Sequence, residues 1–250
     1  MSSIVISLFG FACVFGGALL GMFLRAVLPE HHLSAESRDM IRMWMGLVAT
    51  ISAFIIGLLV ASAMVSYSTQ RSSVTQMSTN IILLDQALAQ YGPETKEARG
   101  LLRRAVVHAI DRIWLKNGSQ SSEKPAEEWS QIYYQITRLP APQNDAQRLI
   151  QAHALSLMEE TLHTRWLMFQ QIGSSIPRPF LMLLLFWITI IFVSFGLFAH
   201  PNATVIASLF VCALSVSGAV FLILDLEDPF YGLIQISDAP LTSALAHLGQ

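Results

Sequence analysis

The sequence predicts an all-α membrane protein with four transmembrane helices and a helical extramembrane domain between spans two and three. Of its 250 residues, 53% are hydrophobic and only 13% are charged, with a mean hydropathy of +0.52. Soluble domains carry about 25% charged residues. The charges are also uneven, since 22 of the 32 Asp, Glu, Lys and Arg residues lie between Ser66 and Pro179. Apolar segments therefore flank one polar domain.

Four segments are long enough to cross a bilayer, and none of them contains a charged residue. Crossing about 30 Å of hydrocarbon takes roughly 20 apolar residues in a helix. The predicted spans are 4–24, 43–65, 180–199 and 203–224. Helices are expected because no water is present in lipid to satisfy the backbone. A cleaved signal peptide is a weaker interpretation of the first span, which lacks a basic start and is too long.

The polar domain, 66–179, also shows helical patterns. Apolar residues recur at alternating steps of three and four, as in a coiled-coil seam; they are Val74, Met77, Ile81, Leu84 and Leu88. No Gly or Pro interrupts 66–91, so the second span is predicted to continue as one long helix. Further helices are predicted from Glu94 to about Lys116, around 129–136 and over 144–172, with loops over 25–42 and 117–125.

Several classes of function are disfavoured. A net charge of -2 provides no basic surface for nucleic acid. Cys13 and Cys212 lie in apolar stretches and predict no disulfide framework. The usual catalytic motifs are missing, and the single Glu160-x-x-His163 is too little for a di-iron site. We therefore predict no enzyme, no catalytic residues and no cofactor other than a bound inorganic ion.

Small residues recur at intervals of four in the first two spans. The pairs include Gly17 with Gly21 and Gly57 with Ala61. This spacing lets helices approach closely in lipid. Packing within one protomer and self-association are equally compatible with it.

One face of the second span carries Thr50, Phe54 and Leu58, each one helical turn from the next. Such a stripe usually faces lipid or the protein core. In an oligomer it could instead line a pore and form a hydrophobic gate.

The fourth span ends in three carboxylates within four residues: Asp225, Glu227 and Asp228. Carboxylates suit a hard cation such as Ca²⁺, or form an electrostatic ring when several copies surround an axis. A plain helix terminus marked by Pro229 and Gly232 is equally compatible.

Two segments resemble a known family. The first extends along the second span and its continuation and comprises Gly57, Ala63, Tyr67, Arg71 and Asn80; it resembles the corresponding stretch of bacterial bestrophins. The second, Asp228-Pro229-Phe230-x-Gly232, resembles the acidic segment after the last bestrophin span. Over nearly the whole chain, the sequence is similar to the bacterial bestrophin-like group of four-span proteins.

The resemblance implies a homo-oligomeric, pentameric channel for small inorganic ions. By position relative to Gly57, the hydrophobic neck would be formed by Thr50, Phe54 and Leu58, although an apolar residue is expected at position 50. The cation-binding candidates would be the three carboxylates after the fourth span.

Orientation also rests on the resemblance. Four spans place the N-terminus, the polar domain and the segment 225–250, which is predicted to be an acidic turn and a tail, on one side of the membrane. Arginines near the span ends are tied at three on each side, so the positive-inside rule does not decide. The resemblance favours a bacterial inner-membrane protein with these parts in the cytoplasm; a non-conducting scaffold or sensor, whose seam pairs with a partner helix, is the alternative.

Overall fold

The computed structural model describes residues 3–27, 35–115, 125–171, 178–200 and 202–249. Those residues form eight α-helices and contain no strand: α1 (Ser3–Val27), α2 (Ala35–Tyr91), α3 (Lys96–Ile110), α4 (Pro125–Thr137), α5 (Asp145–Gln171), α6 (Arg178–Phe198), α7 (Ala203–Glu227) and α8 (Ala239–His247). A 3₁₀ turn over Pro93–Thr95 precedes α3, and a π-helical turn over Asp111–Leu115 follows it. The predicted all-α fold class is confirmed.

Four helices are long and apolar enough to cross a membrane. They are α1, α2 over Asp39–Tyr91, α6 over Pro179–Phe198, and α7. At 1.5 Å per residue, the 25 residues of α7 extend about 38 Å, more than the hydrocarbon requires. The four-span architecture predicted from apolar length is therefore present.

Two predicted loops differ from the structure or lie outside it. Most of the segment 25–42, which was expected to be a loop, is helical, because α1 continues to Val27 and α2 begins at Ala35. Charged residues excluded 35–42 from the predicted span, because a span was required to be uncharged. They do not prevent the segment from forming a helix. Of the predicted loop 117–125, residues 117–124 lie outside the described residues.

The chain divides into two compact units. We call Met1–Ser66 with Ser174–Glu227 the membrane unit, and Tyr67–Gly173 with Asp228–Gln250 the helical unit. The helix α2 belongs to both, since it is continuous over its 57 residues.

In the membrane unit, α1 packs against α6 and α7. Its contact with α6 is close because small residues lie where the helices meet. A Cβ atom on Gly21 would overlap the carbonyl of Val193, and one on Gly196 would overlap the carbonyl of Ala18. Between α1 and α7, the Ser217 hydroxyl donates to the carbonyl of Ser7 at 2.7 Å.

A single arginine covers the end of α6. The last carbonyls of a helix have no partner within it. The Arg25 guanidinium donates to the carbonyls of Phe198 and Ala199 at 3.2 and 2.7 Å. Arg25 thereby stabilises a helix terminus at the edge of the apolar region.

The core of the helical unit is built on the predicted seam of α2. Val74, Met77, Ile81, Leu84 and Leu88 are each at most 2% exposed. They form one hydrophobic cluster with residues of α3, α4 and α5, including Leu102, Val106, Trp129, Ile132, Ile136 and Met158. The seam therefore packs against its own chain and is not left exposed for the partner helix of the scaffold alternative.

The C-terminal segment contributes to the same core. We expected only an acidic turn and a tail over 225–250. The structure has α8 there, and buried side chains from 230 to 248 join the cluster: Phe230, Ile236, Leu241, Ala244 and Leu248. Hydrogen bonds fix the segment, since the Ser78 hydroxyl donates to the carbonyl of Pro240 at 2.5 Å.

Candidate pore-lining face and acidic segment

Thr50, Phe54 and Leu58 lie on an exposed face of α2. Phe54 is 73% exposed and Leu58 is 60% exposed, and Thr50 is also exposed. The Thr50 hydroxyl donates to the carbonyl of Gly46 at 2.9 Å, which leaves only acceptor lone pairs on its outward side. The face thus presents apolar carbon and one hydroxyl oxygen.

This face continues along the apolar part of α2. Other exposed apolar side chains on the same helix are Met43, Trp44, Leu47, Ile51, Met64 and Val65. Of the four candidate spans, α2 has the smallest buried share. In the membrane this face must therefore meet lipid, another protein chain or the interior of a pore.

The four small residues have two different environments. Gly17 and Gly21 are buried, and a Cβ on Gly17 would be 3.0 Å from Cγ2 of Thr189. Gly57 and Ala61 are exposed, and a Cβ on Gly57 would meet no described atom within 4 Å. The first pair serves the contact between α1 and α6, whereas the second lies on the uncovered side of α2.

Three buried polar atoms of α2 lack a hydrogen-bond partner among the described residues: Ser52 Oγ, Gln70 Oε1 and Asn80 Nδ2. An unsatisfied buried group costs about 1–3 kcal/mol. The sequence gives no signal of this cost, because it depends on which atoms surround the helix in space.

The acidic residues differ in environment. Asp225 is 2% exposed near the end of α7, and Glu227 is half-buried. Asp228 is exposed, and its main-chain carbonyl accepts hydrogen bonds from the amides of Tyr231 and Gly232 at 3.1 and 2.9 Å. The segment thus contains the turn that Pro229 and Gly232 predict.

No three His, Cys, Asp or Glu side chains come together as a metal site in the described part of the chain. The three carboxylates of the acidic segment do not meet around one point in a single protomer. A role for them in binding a cation stays a prediction.

One buried charge pair was not predicted. The Asp85 carboxylate accepts hydrogen bonds from Nε and Nη2 of Arg99 at 2.7 and 2.8 Å, and from the amide of Gly249 at 3.2 Å. The hydrogen bond to Asp85 raises the pKa of Arg99 above its usual value, despite partial burial. The sequence does contain a signal for this pair, because Asp85 is the only charged residue in 72–91.

A second basic side chain lies against an aromatic ring. The Arg165 guanidinium is 5.3 Å from the ring centroid of Trp129. Burial and, to a smaller extent, the charge of Arg112 lower the pKa of Arg165 to about 10, while the charge of Glu128 opposes the shift. Arg165 remains charged at neutral pH and contributes a cation–π contact to the core.

An all-α chain with four membrane-crossing helices and a helical unit built on the extension of the second is an integral membrane protein in contact with lipid. A family model for the Bestrophin-like domain matches residues 12–241, nearly the whole chain. The chain belongs to the Bestrophin-like family, as its resemblance had suggested. Comparison with curated proteins and with solved structures gave no match.

Proposed function

We propose that the protein is a homo-oligomeric, pentameric ion channel for small inorganic ions, with the exposed face of α2 lining the pore. The observation that carries the proposal is the uncovered face at Thr50, Phe54 and Leu58 on the least buried span. Membership of a channel-related family supports it.

The chemistry of the face suits a constriction. Cyclic symmetry would bring one copy of each side chain to the axis from every protomer. Rings of Phe54 and Leu58 would form a hydrophobic constriction that controls wetting. The hydroxyl of Thr50, which already donates to Gly46, would offer an acceptor oxygen to a passing cation or to water.

The small residues Gly57 and Ala61 support close contact between protomers. They are exposed on α2, and small residues let backbones approach in lipid. In the proposed oligomer they lie where neighbouring copies of α2 converge.

The acidic segment forms the second element of the proposed pathway. Asp225, Glu227 and Asp228 would form an acidic ring, or hold a cation, once several copies surround the axis. With four spans, the termini and the helical unit share one side of the membrane, and we place that side in the bacterial cytoplasm.

Flux measurement on purified protein in liposomes tests the proposal. The wild type should conduct ions down a salt gradient, and native mass measurement should show a closed oligomer. Phe54→Ala and Leu58→Ala should raise the flux several-fold, because each removes apolar bulk from the constriction.

Phe186→Ala is the matched control. Phe186 is 60% exposed on α6, so its substitution removes the same ring from another span and should leave the flux unchanged. A monomer that conducts no ion in any salt would refute the proposal. The alternative, a non-conducting scaffold or sensor, would have to use a surface other than the seam from Val74 to Leu88, since the seam is buried in its own chain.

A further inference from the structure

A short apolar loop follows the fourth span. The segment 229–237 contains no charged residue, and three of its large aromatic or aliphatic side chains are exposed. Tyr231 is 53% exposed, Leu233 is 77% exposed and Ile234 is 39% exposed. Exposed apolar clusters of this kind commonly mark a surface that contacts a partner or a membrane.

The loop is held in place by buried residues on both sides of its tip. Phe230 is 6% exposed and packs edge-on against Trp114, with ring centroids 5.7 Å apart. Ile236 is 3% exposed; its carbonyl accepts from Nε1 of Trp114 at 2.7 Å, and its amide donates to Pro229 at 2.8 Å. The exposed side chains therefore project from a fixed base.

The chain keeps this tip close to the end of α7. Tyr231 is four residues after Glu227, so at most about 14 Å of extended chain separates them. The apolar part of α7 contacts lipid, and Tyr is enriched at the headgroup level because its ring is apolar and its hydroxyl is polar. The loop has the composition that is typical of the headgroup level of a bilayer. It is also covalently continuous with a lipid-facing helix.

We infer that the tip formed by Tyr231, Leu233 and Ile234 inserts into the headgroup region of the bilayer. The occupant of this surface is lipid rather than a second copy of the chain. The side chains of Leu233 and Ile234 would reach the upper acyl carbons, with the Tyr231 hydroxyl among the headgroups. The inference does not depend on channel activity.

Site-specific labelling tests this contact in the full-length protein. In a Cys13→Ala/Cys212→Ala background, Leu233→Cys is labelled with a polarity-sensitive fluorophore and reconstituted in phosphatidylcholine liposomes. Lipid with a doxyl quencher near the top of the acyl chain should reduce the emission about twofold, as expected for a probe at the interface. Ile234→Cys should behave in the same way.

Leu149→Cys is the matched control. Leu149 is 72% exposed on α5 and is 30 residues before Pro179, where the nearest span begins. Its label should be unaffected by doxyl lipid and accessible to aqueous iodide. Water-like emission from both loop positions, equal to that of the control, would overturn the inference. A blue-shifted emission that doxyl lipid does not quench would also overturn it, since a protein surface would then cover the loop.

Discussion

Replacing Asp85 with Ala should destabilise the helical unit strongly. The side chains of Asp85 and Arg99 are 6% and 23% exposed, and the carboxylate accepts three hydrogen bonds, two from the guanidinium and one from the amide of Gly249. The substitution removes all three and leaves a largely buried cation without its partner.

The size of the effect follows from the burial of the pair. Breaking a buried ion pair by removing one partner costs about 3–5 kcal/mol. Arg99 is not fully buried and can regain some hydration, so the lower end applies, about 3 kcal/mol. For a chain of this length, 1 kcal/mol corresponds to about 2–4 °C in Tm, so Asp85→Ala should lower Tm by roughly 6–12 °C.

Thermal unfolding of the full-length protein in detergent measures this shift. Tryptophan fluorescence reports on the helical unit through Trp129, which is 2% exposed. Arg148→Ala is the control, since its ion pair with Asp145 has side chains 72% and 95% exposed. An exposed pair contributes at most about 1 kcal/mol.

The double variant Asp85→Ala/Arg99→Ala separates the charge effect from general disruption. It removes the unpaired cation as well. The drop in Tm of the double variant should therefore be smaller than the sum of the drops of the two single variants. Strictly additive shifts, or an Asp85→Ala shift no larger than that of Arg148→Ala, would refute the reasoning.

Two further predictions concern the membrane helices and the acidic segment. Gly21→Ala should lower the free energy of unfolding by about 1–3 kcal/mol, because its Cβ would overlap the carbonyl of Val193. Gly57→Ala, at an open position, should leave the Tm of the detergent-dissociated protomer unchanged; equal Tm values for the two variants would contradict this. Asp228→Asn should keep the wild-type Tm, since the side chain is exposed. It should shift the reversal potential of the reconstituted protein toward the equilibrium potential of the anion, because it removes a negative charge. An unchanged reversal potential would remove Asp228 from the proposed acidic ring.

The four spans were predictable because uncharged length is a local property of the chain. The buried stripe from Val74 to Leu88 was also predictable, since a period of 3.5 residues defines one face of a helix. The surface against which this stripe packs was not predictable, because the same stripe can pack against a second chain or against helices further along its own chain. Here α3, α4 and α5 supply that surface.

The contacts of the C-terminal segment depend on tertiary structure that the sequence does not encode locally. Its buried residues, Phe230, Ile236 and Leu241 among them, follow no single period that continues through 228–249. The bond between Asp85 and Gly249 joins residues 164 positions apart. The exposure of Phe54 and Leu58 likewise became visible only when the other spans were in place, because any apolar residue in a span can face lipid, core or pore.

The length of α2 has a mechanical consequence. It is one helix of 57 residues, about 85 Å long at 1.5 Å per residue. Kinks in helices arise mainly at Pro and Gly, and neither occurs between Leu58 and Tyr91. The stretch from Leu58 to Tyr91 is therefore expected to behave as one stiff helical segment, with no Pro or Gly at which a sharp kink would form.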